Sequence, residues 1–170
     1  MKFCFLLLLA TTLFSCQSKK AKEYITLLDS TERKVFHILI DKNTEDKRLE
    51  ALIAEKPDSA IFYGNKQANE LNKVLRDMEK AQLNNLPDGE ALKKSTVAYY
   101  KVVAQMKDLD LQEARLMVVQ SNGDKTKSKE AQNAIFNMAR KRVEIHKVLG
   151  QLDQERYRAK SKFEETNHLK

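Results

Sequence analysis

The chain predicts an all-α fold: an antiparallel up-down four-helix bundle with long helices and a short extra helical segment. Three observations lead there. Apolar residues recur at steps of three and four over four long stretches. Breakers are sparse, with two prolines and four glycines in 170 residues. Alternating β-branched runs bounded by turns do not occur. Spacings nearer 3.5 than 3.6 residues per turn add a shallow left-handed crossing between neighbouring helices.

The first stretch, about 20–40, carries Tyr24, Leu28, Thr31, Val35 and Ile38 on a stripe that Leu27 and Leu39 widen. Asp41, Lys42 and Asn43 interrupt it. Thr44, followed by Glu45 and Asp46, reads as the N-cap of a short segment through Leu49, Leu52 and Ile53. That segment either stands alone or continues the first helix, and it ends before Pro57, whose ring disfavours helix in the residue ahead. Asp58 or Ser59 then caps a second long helix with the seam Ile61, Gly64, Ala68, Leu71, Leu75 and Met78.

The turn 84–89, containing Leu86-Pro87-Asp88, closes that helix. A third, about 88–120, aligns Leu92, Tyr99, Val102, Met106, Leu109 and Leu116, with Val103 and Met117 beside them. Gly123 in Ser121-Asn122-Gly123-Asp124 supplies the left-handed backbone that ends a helix. The fourth, about 128–166, carries Ala131, Ile135, Met138, Ile145, Leu149, Leu152 and Phe163, and would span roughly 55–60 Å at 1.5 Å per residue. A hairpin of the last two helices sets Tyr99 near Gly150 and Met106 near Val143. It also brings Asp108 and Asp110 level with Arg140, Lys141 and Arg142 as an exposed ion-pair cluster worth little to stability.

No constellation for chemistry emerges from the residues. Di-iron bundles need Glu-x-x-His on two helices, and only Glu165-Thr166-Asn167-His168 fits, at a chain end. No Cys-x-x-Cys-His or glycine-rich phosphate loop occurs, and Met106, Met117 and Met138 fall where core methionines fall. The acids are scattered at salt-bridge spacings along helix faces. The expectation is a protein with no catalytic residue, no metal and no cofactor.

The N-terminus carries different information. Lys2, the apolar run Phe3 to Phe14 and Ser15 follow the order of a secretory signal, and the run is shorter than the roughly 20 residues of a membrane span. Leu13-Phe14-Ser15-Cys16 resembles the lipobox of bacterial lipoproteins, with leucine three before the cysteine and a small residue directly before it; Phe14 departs from the usual small or aliphatic residue. The resemblance implies a signal peptide over 1–15, a lipidated Cys16 with a tether over 16–22, and a single helical-bundle domain over 23–170. Two or three acyl chains on one cysteine hold a protein stably on a membrane, where one does so only marginally. Cys4 would leave with the signal and Cys16 carry the lipid, so neither of the two cysteines remains for a disulfide or a nucleophile.

Sorting also follows from the resemblance: Gln17 is not the aspartate of inner-membrane retention, and no acidic cluster follows Cys16. Both point to an outer-membrane lipoprotein facing the periplasm. Loss of Lys2 with the signal lowers the net charge from +7 to +6, and a basic chain in that compartment meets anionic lipid, lipopolysaccharide or cell-wall polymer rather than nucleic acid. Lys19, Lys20 and Lys22 flank the anchor, where each cation gains about 1 kcal/mol on an anionic leaflet. The candidate binding surface for an envelope protein or polyanion is Arg140, Lys141, Arg142, Lys147, Arg156 and Arg158 on the fourth helix.

The expected function is therefore a lipid-anchored envelope protein acting as a non-enzymatic scaffold, adaptor or accessory subunit. The alternative is a periplasmic ligand-binding or chaperone-like domain with an apolar groove, for which Phe36, Ile40, Phe62, Tyr63 and Tyr100 lie off the traced seams.

Overall fold

A computed structural model describes residues 2–169 other than 41 and 84, with side chains from Ser18 onward except that of residue 42. The described residues form no strand. Helix α1 spans Lys2–Ile40, a π-helical turn Lys42–Asp46 follows, and then come α2 (Lys47–Ile53), α3 (Pro57–Lys80), α4 (Gly89–Ser121) and α5 (Lys125–Thr166). The four long helices run up-down-up-down, and α2 extends α1 past the π-helical turn to pack on the start of α3. The segment Leu13–Cys16, which resembles a lipobox, lies outside the residues whose side chains are described.

The connections show how the chain turns. Pro57 occupies the first turn of α3 behind Lys56, where its missing N–H has no intrahelical role. Neither Asp58 nor Ser59 is the cap, in contrast to the sequence expectation. Thr44 is likewise no N-cap: it is buried inside the π-helical turn, so the short segment continues the line of α1 with one wide turn inserted. The start of α5 is capped by Asp124, whose Oδ1 accepts from the amides of Thr126 at 3.0 Å and Lys127 at 3.1 Å. This extends α5 three residues earlier than the periodicity suggested. Gly123, at φ +80°, adopts the left-handed conformation expected of it.

The core is stacked in layers along the bundle. Ala21, Tyr24, Leu28, Met78, Leu83, Leu92 and Phe163 form the first layer, nearest the N-terminus. Tyr24 meets Phe163 edge-on at 5.9 Å between ring centroids. Val35, Ile38, Leu71, Val74, Tyr100 and Val103 form the middle layer, and Leu109, Met138 and Ile145 fill the space between α4 and α5. At the far end the apolar layer shrinks to Ala51, Ala60 and Ala114.

Small residues there let helices approach closely. A Cβ on Gly64 would lie 2.7 Å from Leu111 Cδ2, so any side chain there displaces Leu111 where α3 crosses α4. Gly89 is tight for the same reason, its added Cβ falling 2.8 Å from the Leu83 carbonyl. That loop is then stitched to the end of α5: Asn167 Nδ2 donates to the Pro87 carbonyl at 3.0 Å, and Lys162 pairs with Asp88 at 2.8 Å.

The stripe expected on α1, Tyr24, Leu28, Thr31, Val35 and Ile38, is buried as read, and so are Ala131, Met138, Ile145 and Phe163 of α5, whereas α3 and α4 are rotated slightly from their expected seams. On α3 the buried line is Ala60, Gly64, Gln67, Leu71, Val74 and Met78, so Ile61, Ala68 and Leu75 flank the core rather than fill it. On α4, Thr96, Tyr100 and Val103 are buried while Tyr99, Val102 and Met106 are half-buried. Thr96 tolerates burial because its hydroxyl donates to the Leu92 carbonyl at 2.8 Å. Tyr100 is thus a core residue.

Candidate functional site

The most concentrated polar feature lies beside the small-residue end of the core, where six charged side chains from four elements meet. Arg48 of α2 donates to Glu45 of the π-helical turn, at 2.7 Å from Nη2 to Oε1 and 3.0 Å from Nε to Oε2. Lys107 of α4 reaches Glu45 at 3.2 Å and Asp110 at 3.3 Å. Arg142 of α5 completes the set by donating to Asp110 at 3.1 Å and to Glu113. The side chains of Arg48, Lys107, Asp110 and Glu45 retain only 8%, 11%, 14% and 16% of their exposure, and three carboxylates balance three cations.

Chemistry at this cluster is held toward the charged forms. Burial pushes the Glu45 carboxyl up, but the Arg48 hydrogen bonds and the Lys107 and Arg48 charges outweigh it and bring it down to about 2. Its carboxylate has no accessible proton to exchange near neutral pH. Buried pairs of this kind fix geometry more than they add stability, and here they lock α2 onto α4 and α4 onto α5.

Gln67 connects the cluster to the core. Buried in the α3 seam, it donates from Nε2 to the Ile38 carbonyl at 2.9 Å, next to the π-helical turn where the α-helical ladder of α1 gives way. Its Oε1 has no partner.

The six candidate surface residues of α5 divide between two faces. Arg142 points inward to Asp110 and Glu113. Arg156 lies 4.7 Å from the Tyr99 ring and donates at 2.9 Å to both Glu32 of α1 and Asp153. With Lys160 and Asp29 at 2.7 Å, these ion pairs join α5 to α1. Arg140, Lys141, Lys147 and Arg158 are exposed, and Lys147 pairs with Glu144 one turn away at 3.0 Å. Arg140 and Arg158 stand roughly 27 Å apart along the helix, so the exposed cations form a dispersed line rather than a pocket.

The expected neighbours of Tyr99 and Asp110 sort differently. Arg142 does meet Asp110, more buried than an exposed cluster would be. Tyr99 faces Arg156 rather than Gly150, which stands open with nothing within 4 Å of an added Cβ. Burial, reinforced by Asp153 and opposed by Arg156, raises the Tyr99 phenol above its ordinary value. Burial also lifts Tyr100 to about 12 and raises Tyr24, whose hydroxyl is buried without a partner.

Surface apolar groups are numerous. Phe36, Ile40 and Phe62 are exposed, and so are Leu49, Ile53, Phe136, Val143 and Tyr157. A groove of about 460 Å³ runs between α1 and the loop after α3, lined by Lys20, Glu23, Tyr24, Leu27, Leu83 and Leu86 among others. It is mixed in character and open to one side. Among the described residues no three His, Cys, Asp or Glu side chains converge as metal ligands, and no helix is long and apolar enough to cross a membrane.

Sequence reasoning missed Glu45, Arg48, Lys107, Glu113 and Gln67. Gln67 had a signal, since it sits four before Leu71 and seven before Val74 on the line that proves to be buried. Among the charged residues the pairs Glu45–Arg48 and Lys107–Asp110 had the local signal of three-residue spacing, but their meeting had none, because the two pairs and Arg142 come from distant elements. Compared with known proteins, the chain matches no family model, no curated protein and no solved structure.

Proposed function

We propose that this chain is a lipid-anchored envelope protein, held on the outer membrane through Cys16 and facing the periplasm. Its bundle acts as a non-enzymatic scaffold, adaptor or accessory subunit. The observation that carries the binding role is where the exposed apolar side chains lie. Eleven large ones are exposed among the described residues, and only Leu27 and Tyr157 lie near the first core layer. The other nine stand at or beyond the middle layer, on the half remote from the tether. Ile53 is 84% exposed and Phe62 65%.

Such surface supports a partner-binding role, and a rigid bundle would carry it away from the leaflet. The 42 residues of α5 measure about 63 Å at 1.5 Å per residue. The exposed Arg140, Lys141, Lys147 and Arg158 add a basic edge to that half and to the adjoining length of α5, suited to a partner with anionic surface.

The groove beside Tyr24 supports the second reading, a ligand-binding or chaperone-like domain. The two separate experimentally. Membranes carrying the wild-type chain, crosslinked and purified, should yield an envelope protein joined to the far half, and Ile53→Ser with Phe62→Ser should abolish that product without lowering the melting temperature. Crosslinks confined to the groove favour the second reading. Intact-mass measurement should find lipid on Cys16 and none in Cys16→Ser; a mature N-terminus elsewhere without added mass overturns the anchor.

A further inference from the structure

We propose that the end of the bundle nearest Cys16 is a membrane-docking face, which seats on anionic phospholipid headgroups and stands the long axis upright on the leaflet. The docking presupposes the lipid on Cys16 and is what the fold adds to it. Ala21 is fully buried in the first core layer, so the tether ends at Lys20. Five residue steps part Ala21 from Cys16. They span at most about 18 Å as extended chain, and about 7.5 Å in the helical form that α1 has over this stretch. The bundle therefore has little slack in which to leave the membrane surface.

The same end carries the charge that an anionic leaflet selects. It is built from the start of α1, the connection between α3 and α4, and the end of α5. Phe163 joins Ala21, Leu83 and Leu92 there in one layer, and Asn167 ties α5 to Pro87. Over 17–24, 80–94 and 162–170 the chain holds eight lysines against five carboxylates, a net excess of three cations. Lys19, Lys20, Lys22 and Lys80 are exposed, while Asp88 is already bound to Lys162. Each net cation favours contact with an anionic leaflet about fivefold, so three favour it roughly a hundredfold. Arg140 and Lys141 stand roughly 33 Å along α5 from Lys162, about four screening lengths of 8 Å at physiological salt. In the upright pose the basic line of α5 is therefore outside the field of the leaflet. Lying flat would bring that line down, but α1 would have to bend between Cys16 and Ala21, where it is helical and has neither proline nor glycine to kink it.

The full chain, matured in its own membrane and placed in nanodiscs of defined lipid, tests the docking. A spin label is attached in turn to Gln82→Cys beside the end face, Asn137→Cys on the outer length of α5, and Asn122→Cys at the far turn. Relaxation by a gadolinium-chelating lipid headgroup reads the height of each label. In discs containing phosphatidylglycerol, Gln82→Cys should relax strongly and the other two weakly. The contrast should fade in pure phosphatidylcholine, and at 1 M salt, where screening shortens to about 3 Å. Lys19→Gln, Lys20→Gln and Lys22→Gln together should lower the docked-to-free ratio roughly a hundredfold. Lys80→Gln, remote from the anchor, should lower it about fivefold, and Arg140→Gln with Lys141→Gln should leave it unchanged. Intact mass checks the lipid on each variant, and melting checks its fold. Equal relaxation at Asn137→Cys and Gln82→Cys means a bundle lying flat and overturns the proposal, as does a Gln82→Cys signal indifferent to anionic lipid. Lipid absent from Cys16 overturns anchor and docking together; lipid present with Gln82→Cys remote from the headgroups overturns the docking alone.

Discussion

Glu45→Gln removes one carboxylate from the buried ion cluster, and the structure sets both the size and the pH window of the loss. The Glu45 carboxyl is held at about 2 against an ordinary 4.5, because its cationic partners outweigh its burial. At 1.36 kcal/mol per unit, that displacement corresponds to about 3 kcal/mol. The folded value lies below the unfolded one, so the contribution is fully present above about pH 5 and disappears as pH falls towards 2. Gln keeps the shape but leaves Arg48 and Lys107 to share Asp110.

Urea unfolding of both proteins, followed by circular dichroism between pH 7 and pH 2.5, should show the variant about 3 kcal/mol less stable at neutral pH. That corresponds to a melting temperature lower by roughly 6–12 °C for a domain of this size. The difference should close as acid is added, which separates Glu45 from every other carboxylate in the acid limb. A gap below about 1 kcal/mol, or one that does not narrow with acid, would refute the reasoning: the cluster would then behave as solvent-screened surface pairs do.

Two further outcomes follow from packing and burial. Gly64→Ala should destabilise by about 1–3 kcal/mol through overpacking against Leu111, with Leu111→Val recovering part of it in a double variant; Gly150→Ala, which meets nothing, should raise the melting temperature of the dilute protein through helix propensity worth about 1 kcal/mol. Tyr24→Phe should be neutral or stabilising by up to about 1 kcal/mol, since it removes a buried hydroxyl without a partner, and a clear loss of stability would show that the hydroxyl is bonded. Tyr100 is raised from 10.0 to about 12, so its contribution is intact below pH 10 and is lost as pH rises towards 12. Tyr100→Phe should therefore flatten the alkaline stability curve between those limits, and an unchanged curve would contradict the burial of that phenol.

Much of the bundle was legible because it is local. A stripe at steps of three and four, Gly123 and Pro57 each constrain only a turn or two of chain, and the helices they imply are present at nearly the expected bounds. The seam residues were legible less finely. The apolar stripe on each helix is wider than the line that faces inward, so Ile61 and Val74, or Tyr99 and Tyr100, satisfy the same pattern. Which one is buried depends on the angle at which neighbours arrive. Gly64 against Leu111 sets that angle for α3 and α4, and no local periodicity contains it.

The candidate surface was split for a related reason. Arg140, Lys141, Arg142, Lys147, Arg156 and Arg158 are alike as letters on a basic helix. Only packing separates Arg142 and Arg156, which meet carboxylates of α4 and α1, from the four that face water.

By itself, then, the sequence determined that this chain folds as long helices and roughly where they break, because each rests on neighbours within a few residues; the resemblance of Leu13 to Cys16 to a lipobox is local in the same way. Tertiary structure alone decided that Glu45, Lys107 and Arg142 share one buried cluster, since contacts between residues this far apart in the chain exist only once helices are oriented. It also decided that Gln67 meets Ile38 at the π-helical turn. The physical reason is the same in each case: periodicity says that a face will be buried, and the partner it meets determines which side chains on that face lie inside.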